Sequence, residues 1–174
     1  MADGNTFKTD LERSQTIERR LCDIITQTGY KAETTQDKGN YSGYDIIINN
    51  RKTIELKVDY ESKRTGNIAV EVSKVINDEE QKSGLSITTA DYYVYHLPDE
   101  PNNFYFILTK NLKAIKDKAF RMVRGGDNNA VWLRLYRKEV FLPYCMKIDV
   151  RKIKAIDIMK LMAPTVFRIG NLTL

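Results

Sequence analysis

The sequence predicts an α/β protein of the α+β kind, built on a mixed sheet. A helix comes first, then an antiparallel three-stranded meander, then further strands and a second helix. Three observations predict this. An amphipathic segment lies near the N-terminus, two alternating segments are joined through Asn49-Asn50-Arg51, and later short runs are dense in β-branched and aromatic residues.

The first helix is expected from about Thr9 or Asp10 to Thr28, with Asp10 as N-cap and Gly29 as its stop. Leu11, Ile17, Leu21, Ile24 and Ile25 mark its buried stripe. Glu18 borders that stripe and can turn toward a sheet packed beneath it, although it also suits a solvated helix face beside Arg19 and Arg20. A short strand over Tyr30 to Thr35 and a polar loop over Gln36 to Ser42 follow.

The hairpin is the informative stretch. Tyr44 to Ile48 and Lys52 to Val58 both alternate, and asparagines tolerate the left-handed backbone of a tight turn. With Asn49 to Arg51 as the loop, Ile46 faces Ile54 and Tyr44 faces Leu56, giving one apolar face. The same register sets Asp45 opposite Glu55 on the other face, with Lys57 two residues along. Directly opposed residues have Cβ atoms roughly 4.5–5.5 Å apart, where two carboxylates repel unless a cation lies between them. An ordinary solvated strand face accounts for Lys57 but not for two opposed acids.

Beyond a basic connection over residues 61–67, Ile68 to Ser73 is expected as the third antiparallel strand, with Glu71 on its polar face. Residues 78–84 form a loop, and Tyr92 to Leu97 and Phe104 to Leu108 form buried strands. The tyrosines at 92, 93 and 95 are expected to pack in the core. The second helix starts at Thr109 or Asn111 and carries Leu112, Ile115, Ala119, Phe120 and Val123. Its basic face, from Lys110 to Arg121, is read as solvated surface. Val131 to Tyr136 is a strand, Glu139 to Leu142 a short one, and Lys152 to Met162 a helix ending before Pro164.

Composition narrows the function classes. The 174 residues suit one domain, with a core over about residues 10–123 and a C-terminal elaboration over 124–174. Hydrophobic residues at 42% and charged residues at 29% exclude a disordered or fibrous chain. No apolar run is long enough to span a bilayer, and residues 1–5 lack a signal peptide's pattern, so a cytoplasmic protein without a membrane partner is expected. Cys22 and Cys145 are isolated and read as reduced core thiols. A single histidine, His96, rules out a histidine-based nuclease or metal site. The net charge of +5 permits nucleic-acid binding.

The chemistry that suits Asp45 and Glu55-x-Lys57 is phosphodiester hydrolysis. Carboxylates favour Mg²⁺, which keeps several waters, and a lysine on the same strand face can orient or deprotonate the attacking water and offset developing negative charge. At these residues the chain resembles the PD-(D/E)xK nuclease superfamily, whose fold is restriction-endonuclease-like. Asp45, Glu55 and Lys57 match the motif and Glu18 matches the acid often supplied by the first helix, while Tyr44 replaces the motif's proline. The resemblance covers about residues 10–110. Within it, residues 65–71 and 83–91 look like segments of phage and prophage members.

That resemblance implies a Mg²⁺-dependent deoxyribonuclease, with Mn²⁺ as a substitute ion and DNA as partner, located in the host cytoplasm if phage-encoded. Asp45 and Glu55 would bind metal, Lys57 would act on water, and Glu18 or Glu71 would complete the metal shell. Lys63, Arg64, Lys82 and Ser83 flank this site and would contact phosphates. Two alternatives stay open. One is a Holliday-junction resolvase, which would act as a homodimer, and the other is a catalytically silent nucleic-acid-binding module.

Overall fold

The computed structural model describes residues 4–36 and 43–163. Helix α1 (Gly4–Gln27) precedes strands β1 (Ala32–Thr34), β2 (Ile46–Ile48) and β3 (Lys52–Val58). A one-turn helix α2 (Ser62–Thr65) leads into β4 (Asn67–Ile76) and β5 (Glu79–Lys82). The chain continues through β6 (Tyr92–His96), β7 (Asn103–Leu108), α3 (Thr109–Ala114), β8 (Arg121–Gly125) and β9 (Val131–Arg137). Helix α4 (Lys138–Phe141), strand β10 (Met146–Asp149) and helix α5 (Ala155–Met162) complete it.

These strands form two sheets. The first is mixed and six-stranded, in the order β1-β2-β3-β6-β7-β10, with β3 and β6 as its parallel pair. The second is antiparallel, in the order β5-β4-β9-β8. A mixed α/β architecture is therefore present. The meander differs from the expected one: β1, β2 and β3 form it, and β4 leaves for the second sheet. Alternation identifies β4 as a strand without saying which neighbour it pairs with.

The hairpin register is as expected. Ile46 pairs with Ile54 and Ile48 with Lys52, around a loop in which Asn49 and Asn50 have φ of 48° and 52°. One face of the first sheet buries Ile46, Ile48, Ile54 and Leu56 against Leu21, Cys22 and Ile25 of α1. Each such side chain contributes about 1.5–3 kcal/mol of burial. Ile158 and Leu161 of α5 close the same cluster. Tyr93, Tyr95, Tyr105 and Ile107 on the opposite face pack with Ile68, Val70 and Tyr136 of the second sheet. The three core tyrosines, 92, 93 and 95, are buried as the alternating run implied.

Several element boundaries differ from expectation. Helix α1 begins at Gly4, so Asp10 lies inside it and is not its cap, and Leu11 is exposed. The loop expected to begin at Gln36 lies outside the described residues from 37 to 42. Residues 77 and 78 turn with positive φ and residues 79–82 form β5, so part of the expected 78–84 loop is a hairpin arm. Helix α3 stops after six residues; Phe120 is exposed and Val123 belongs to β8. A short span of apolar residues satisfies both the helical and the strand period, and pairing with β9 decides in favour of the strand. Residues 138–141 are helical rather than extended. The C-terminal third supplies strands to both sheets and residues to both cores.

Candidate active site

The site lies where β2 begins beside β3. The N–H of Asp45 bonds the carbonyl oxygen of Ile54 at 2.8 Å, although Ile54 is the ladder partner of Ile46. The register therefore slips by one residue at Asp45, as in a β-bulge, so Asp45 is not the direct ladder partner of Glu55. The Leu56 N–H donates instead to Asp45 Oδ2 at 2.7 Å, which ties the carboxylate to β3. Asp45 Oδ1 has no donor among the described residues.

Glu55 and Lys57 share the β3 face that looks toward the second sheet. Lys57 Nζ lies 2.7 Å from Glu55 Oε1, with the glutamate side chain 12% exposed and the lysine 39%. Thr88, which is buried, reaches Glu55 Oε2 at 3.4 Å. Glu18 is half-buried on α1 and accepts a hydrogen bond from Gln36 Nε2 at 2.8 Å.

Electrostatics join these groups. Burial raises the Asp45 carboxyl to about 7, helped by the charges of Glu55 and Glu18 and opposed by Lys57 and the Leu56 N–H. Glu18 is likewise raised by burial; Gln36 and Lys57 oppose the shift and Glu55 adds to it. Burial alone would favour neutral Lys57, but Glu55, with smaller contributions from Tyr93 and Asp45, holds its ammonium well above the ordinary range. The lysine is thus a proton holder here, and its charge sits where two acids need a cation. Bulge, helix and strand bring Glu18, Asp45, Glu55 and Lys57 into one electrostatic field.

Glu71 approaches from β4. It lines, with Lys57 and Tyr95, a cleft of about 560 Å³ between the sheets. Ser83 Oγ donates to Glu71 Oε1 at 2.6 Å, and a Cβ on Gly84 would lie 2.6 Å from the Glu71 carbonyl oxygen. Gly84, at φ +49°, is thus required by both its backbone and its neighbour. Ser83 was expected at a phosphate. It is 3% exposed and committed to Glu71, so it supports the acid instead.

The other expected phosphate contacts are dispersed. Lys63 is exposed on α2, and Arg64 beside it is paired with Glu61. Lys82 is exposed at the end of β5, an edge strand of the second sheet. His96 is buried, with Nε2 3.3 Å from the Pro101 carbonyl oxygen, and takes no part in the site.

Sequence reasoning missed Tyr93. It is the parallel-ladder partner of Glu55, is 1% exposed, and its hydroxyl has no hydrogen-bond partner among the described residues. The charges of Lys57, Glu55, Glu71 and Asp45 all act on it. No sequence signal could reveal that β6 lies beside β3.

The donor set suits a hard cation such as Mg²⁺: two carboxylates, one with an oxygen that no described residue bonds, and a buried tyrosine hydroxyl without a partner among the described residues. Among the described residues no group of three or more His, Cys, Asp or Glu side chains is placed to hold a metal ion. A metal here would therefore keep several waters, as Mg²⁺ does. No helix among the described residues is long and apolar enough to cross a membrane. No family model, curated protein or solved structure matches the chain.

Proposed function

We propose that the chain is a Mg²⁺-dependent deoxyribonuclease of PD-(D/E)xK type on a restriction-endonuclease-like core. One observation carries the proposal: Asp45, Glu55 and Lys57 are drawn together by the bulge, with Glu18 inside the same field. Burial first, and the Glu55 charge second, raise the Asp45 carboxyl, so added positive charge would favour its ionised form.

Asp45 and Glu55 would hold the ion, which supplies charge to neutralise the scissile phosphate and to polarise water. Lys57, protonated, would offset the negative charge that develops on the phosphate. Thr88 Oγ1 lies 3.4 Å from the Glu55 carboxylate, and Ser83 and Gly84 hold Glu71 at the cleft wall.

Purified protein incubated with plasmid DNA and Mg²⁺ should nick or linearise it, and EDTA or Lys57→Ala should abolish the cleavage. Cleavage that survives either treatment contradicts the proposal. A four-way junction in the same assay distinguishes a resolvase, which would prefer it and behave as a homodimer. A second reading, a binding module without turnover, is favoured by the absence of a third acidic ligand among the described residues. It predicts no cleavage of linear, nicked, single-stranded or branched DNA.

A further inference from the structure

Positive charge is concentrated in one part of the chain. Residues 110–138 hold nine lysines and arginines against two aspartates, a net +7 that exceeds the +5 of the whole sequence. Among the described residues only Lys138 of these nine is in an ion pair, with Asp99. The other eight cations have no ion pair among the described residues, and a run of this net charge attracts an external polyanion.

The fold turns this run into a wall of the cleft that begins at Lys57. Val123, Gly125, Leu133 and Leu135 line that cleft together with Lys57 and Glu71. By strand alternation, Arg121 shares a face with Val123, and Arg137 shares one with Leu135. The two arginines therefore edge an apolar floor. Phe120, half exposed, lies with its ring centroid 5.5 Å from the Arg137 guanidinium.

The acids of the cleft do not cancel this charge. Asp59 accepts the N–H groups of Ser62 and Ala69, Glu61 is paired with Arg64, and Glu71 holds Ser83. Their commitments lie within the protein, whereas Arg121 and Arg137 are exposed.

Cations beside apolar surface and an exposed ring match one form of nucleic acid. A duplex presents mainly phosphates to such a surface and leaves the apolar floor unused. A single strand presents phosphates and unstacked bases together. We propose that the β8–β9 wall binds single-stranded DNA, with phosphates on Arg121 and Arg137 and bases over Phe120 and the apolar floor. The strand then runs along the cleft to Lys57. Only that last step rests on the nuclease reading; the binding itself does not.

The test is fluorescence anisotropy in EDTA with the full chain, using a labelled oligothymidylate of about 20 nucleotides, an equal-length duplex and the matching ribo-oligomer. The deoxy single strand should bind at least about tenfold tighter than the equal-length duplex and more tightly than the ribo-oligomer. The double variant Arg121→Gln/Arg137→Gln should weaken it about tenfold or more and reduce the log–log salt slope by about 1.4. Phe120→Ala should weaken it about tenfold with the slope unchanged. Thermal melting confirms that each variant is folded, and Arg121→Lys/Arg137→Lys should restore the slope. Equal or tighter binding of the duplex or the ribo-oligomer overturns the proposal. So does a folded glutamine variant with unchanged affinity and slope. Single-strand binding without cleavage of plasmid, linear, nicked, single-stranded or branched DNA would sink the nuclease reading and leave this one standing.

Discussion

Replacing Asp45 with asparagine isolates a single titration at the heart of the site. An asparagine Oδ1 can still accept the Leu56 N–H, so the bulge contact at 2.7 Å has a substitute. What disappears is the ionisation. Burial and Glu55 move the Asp45 carboxyl from 3.8 to about 7, a change worth on the order of 4 kcal/mol at ~1.4 kcal/mol per pH unit. Because the folded-state value is raised, the folded protein holds this proton more tightly than the unfolded chain. The resulting stability is fully present below about pH 4, falls as pH rises toward 7, and is gone above it. Asparagine does not titrate, so the variant's stability relative to the parent should rise by up to about 4 kcal/mol between pH 4 and 8. Urea denaturation in EDTA across that range measures the difference directly. Adding Mg²⁺ at pH 8, at about a hundred times its dissociation constant, should then stabilise the parent by about 2.7 kcal/mol and the variant by far less. A difference that stays flat with pH, or an equal gain from Mg²⁺ in both proteins, would refute the reasoning.

Three further substitutions test the supports. Gly84→Ala should cost more than about 2 kcal/mol in urea denaturation, since it forces a side chain into positive φ and against the Glu71 carbonyl; an unchanged midpoint would refute the contact. Ser83→Ala should cost about 1 kcal/mol by removing the hydrogen bond to Glu71, and a variant as stable as the parent would show that bond to be worthless. Tyr93→Phe should leave stability unchanged or raise it by about 1 kcal/mol, because its hydroxyl is buried without a partner among the described residues. The same variant should lower the plasmid-cleavage rate about tenfold if that hydroxyl acts in the site. Marked destabilisation would instead mean that the hydroxyl already has a structural role.

The hairpin register was legible because both arms alternate and the loop asparagines accept positive φ; the Ile46–Ile54 pairing is the one that pattern specifies. Helix α1 was legible from the spacing of Ile17, Leu21, Ile24 and Ile25, and β6 from its unbroken apolar and aromatic run. The slip at Asp45 was not, because it depends on a side chain capturing the Leu56 N–H and leaves no trace in residue type. The β3–β6 parallel pair was equally hidden. Thirty-three residues separate Val58 from Tyr92, and no local period records such a pairing. The role of Tyr93 stayed hidden with it. Ser83 misled for a different reason: a polar residue in a basic loop has the composition of a phosphate contact, yet its burial against Glu71 is set by the second sheet.

The central claim is that Asp45 and Glu55 together hold a divalent ion beside Lys57. Anomalous diffraction from crystals grown with Mn²⁺ tests it most directly. The account predicts an anomalous peak in contact with both carboxylates and a Lys57 ammonium moved away from Glu55 Oε1. A protein saturated with Mn²⁺ whose peaks all lie elsewhere, with the Lys57–Glu55 pair still at 2.7 Å, would contradict it.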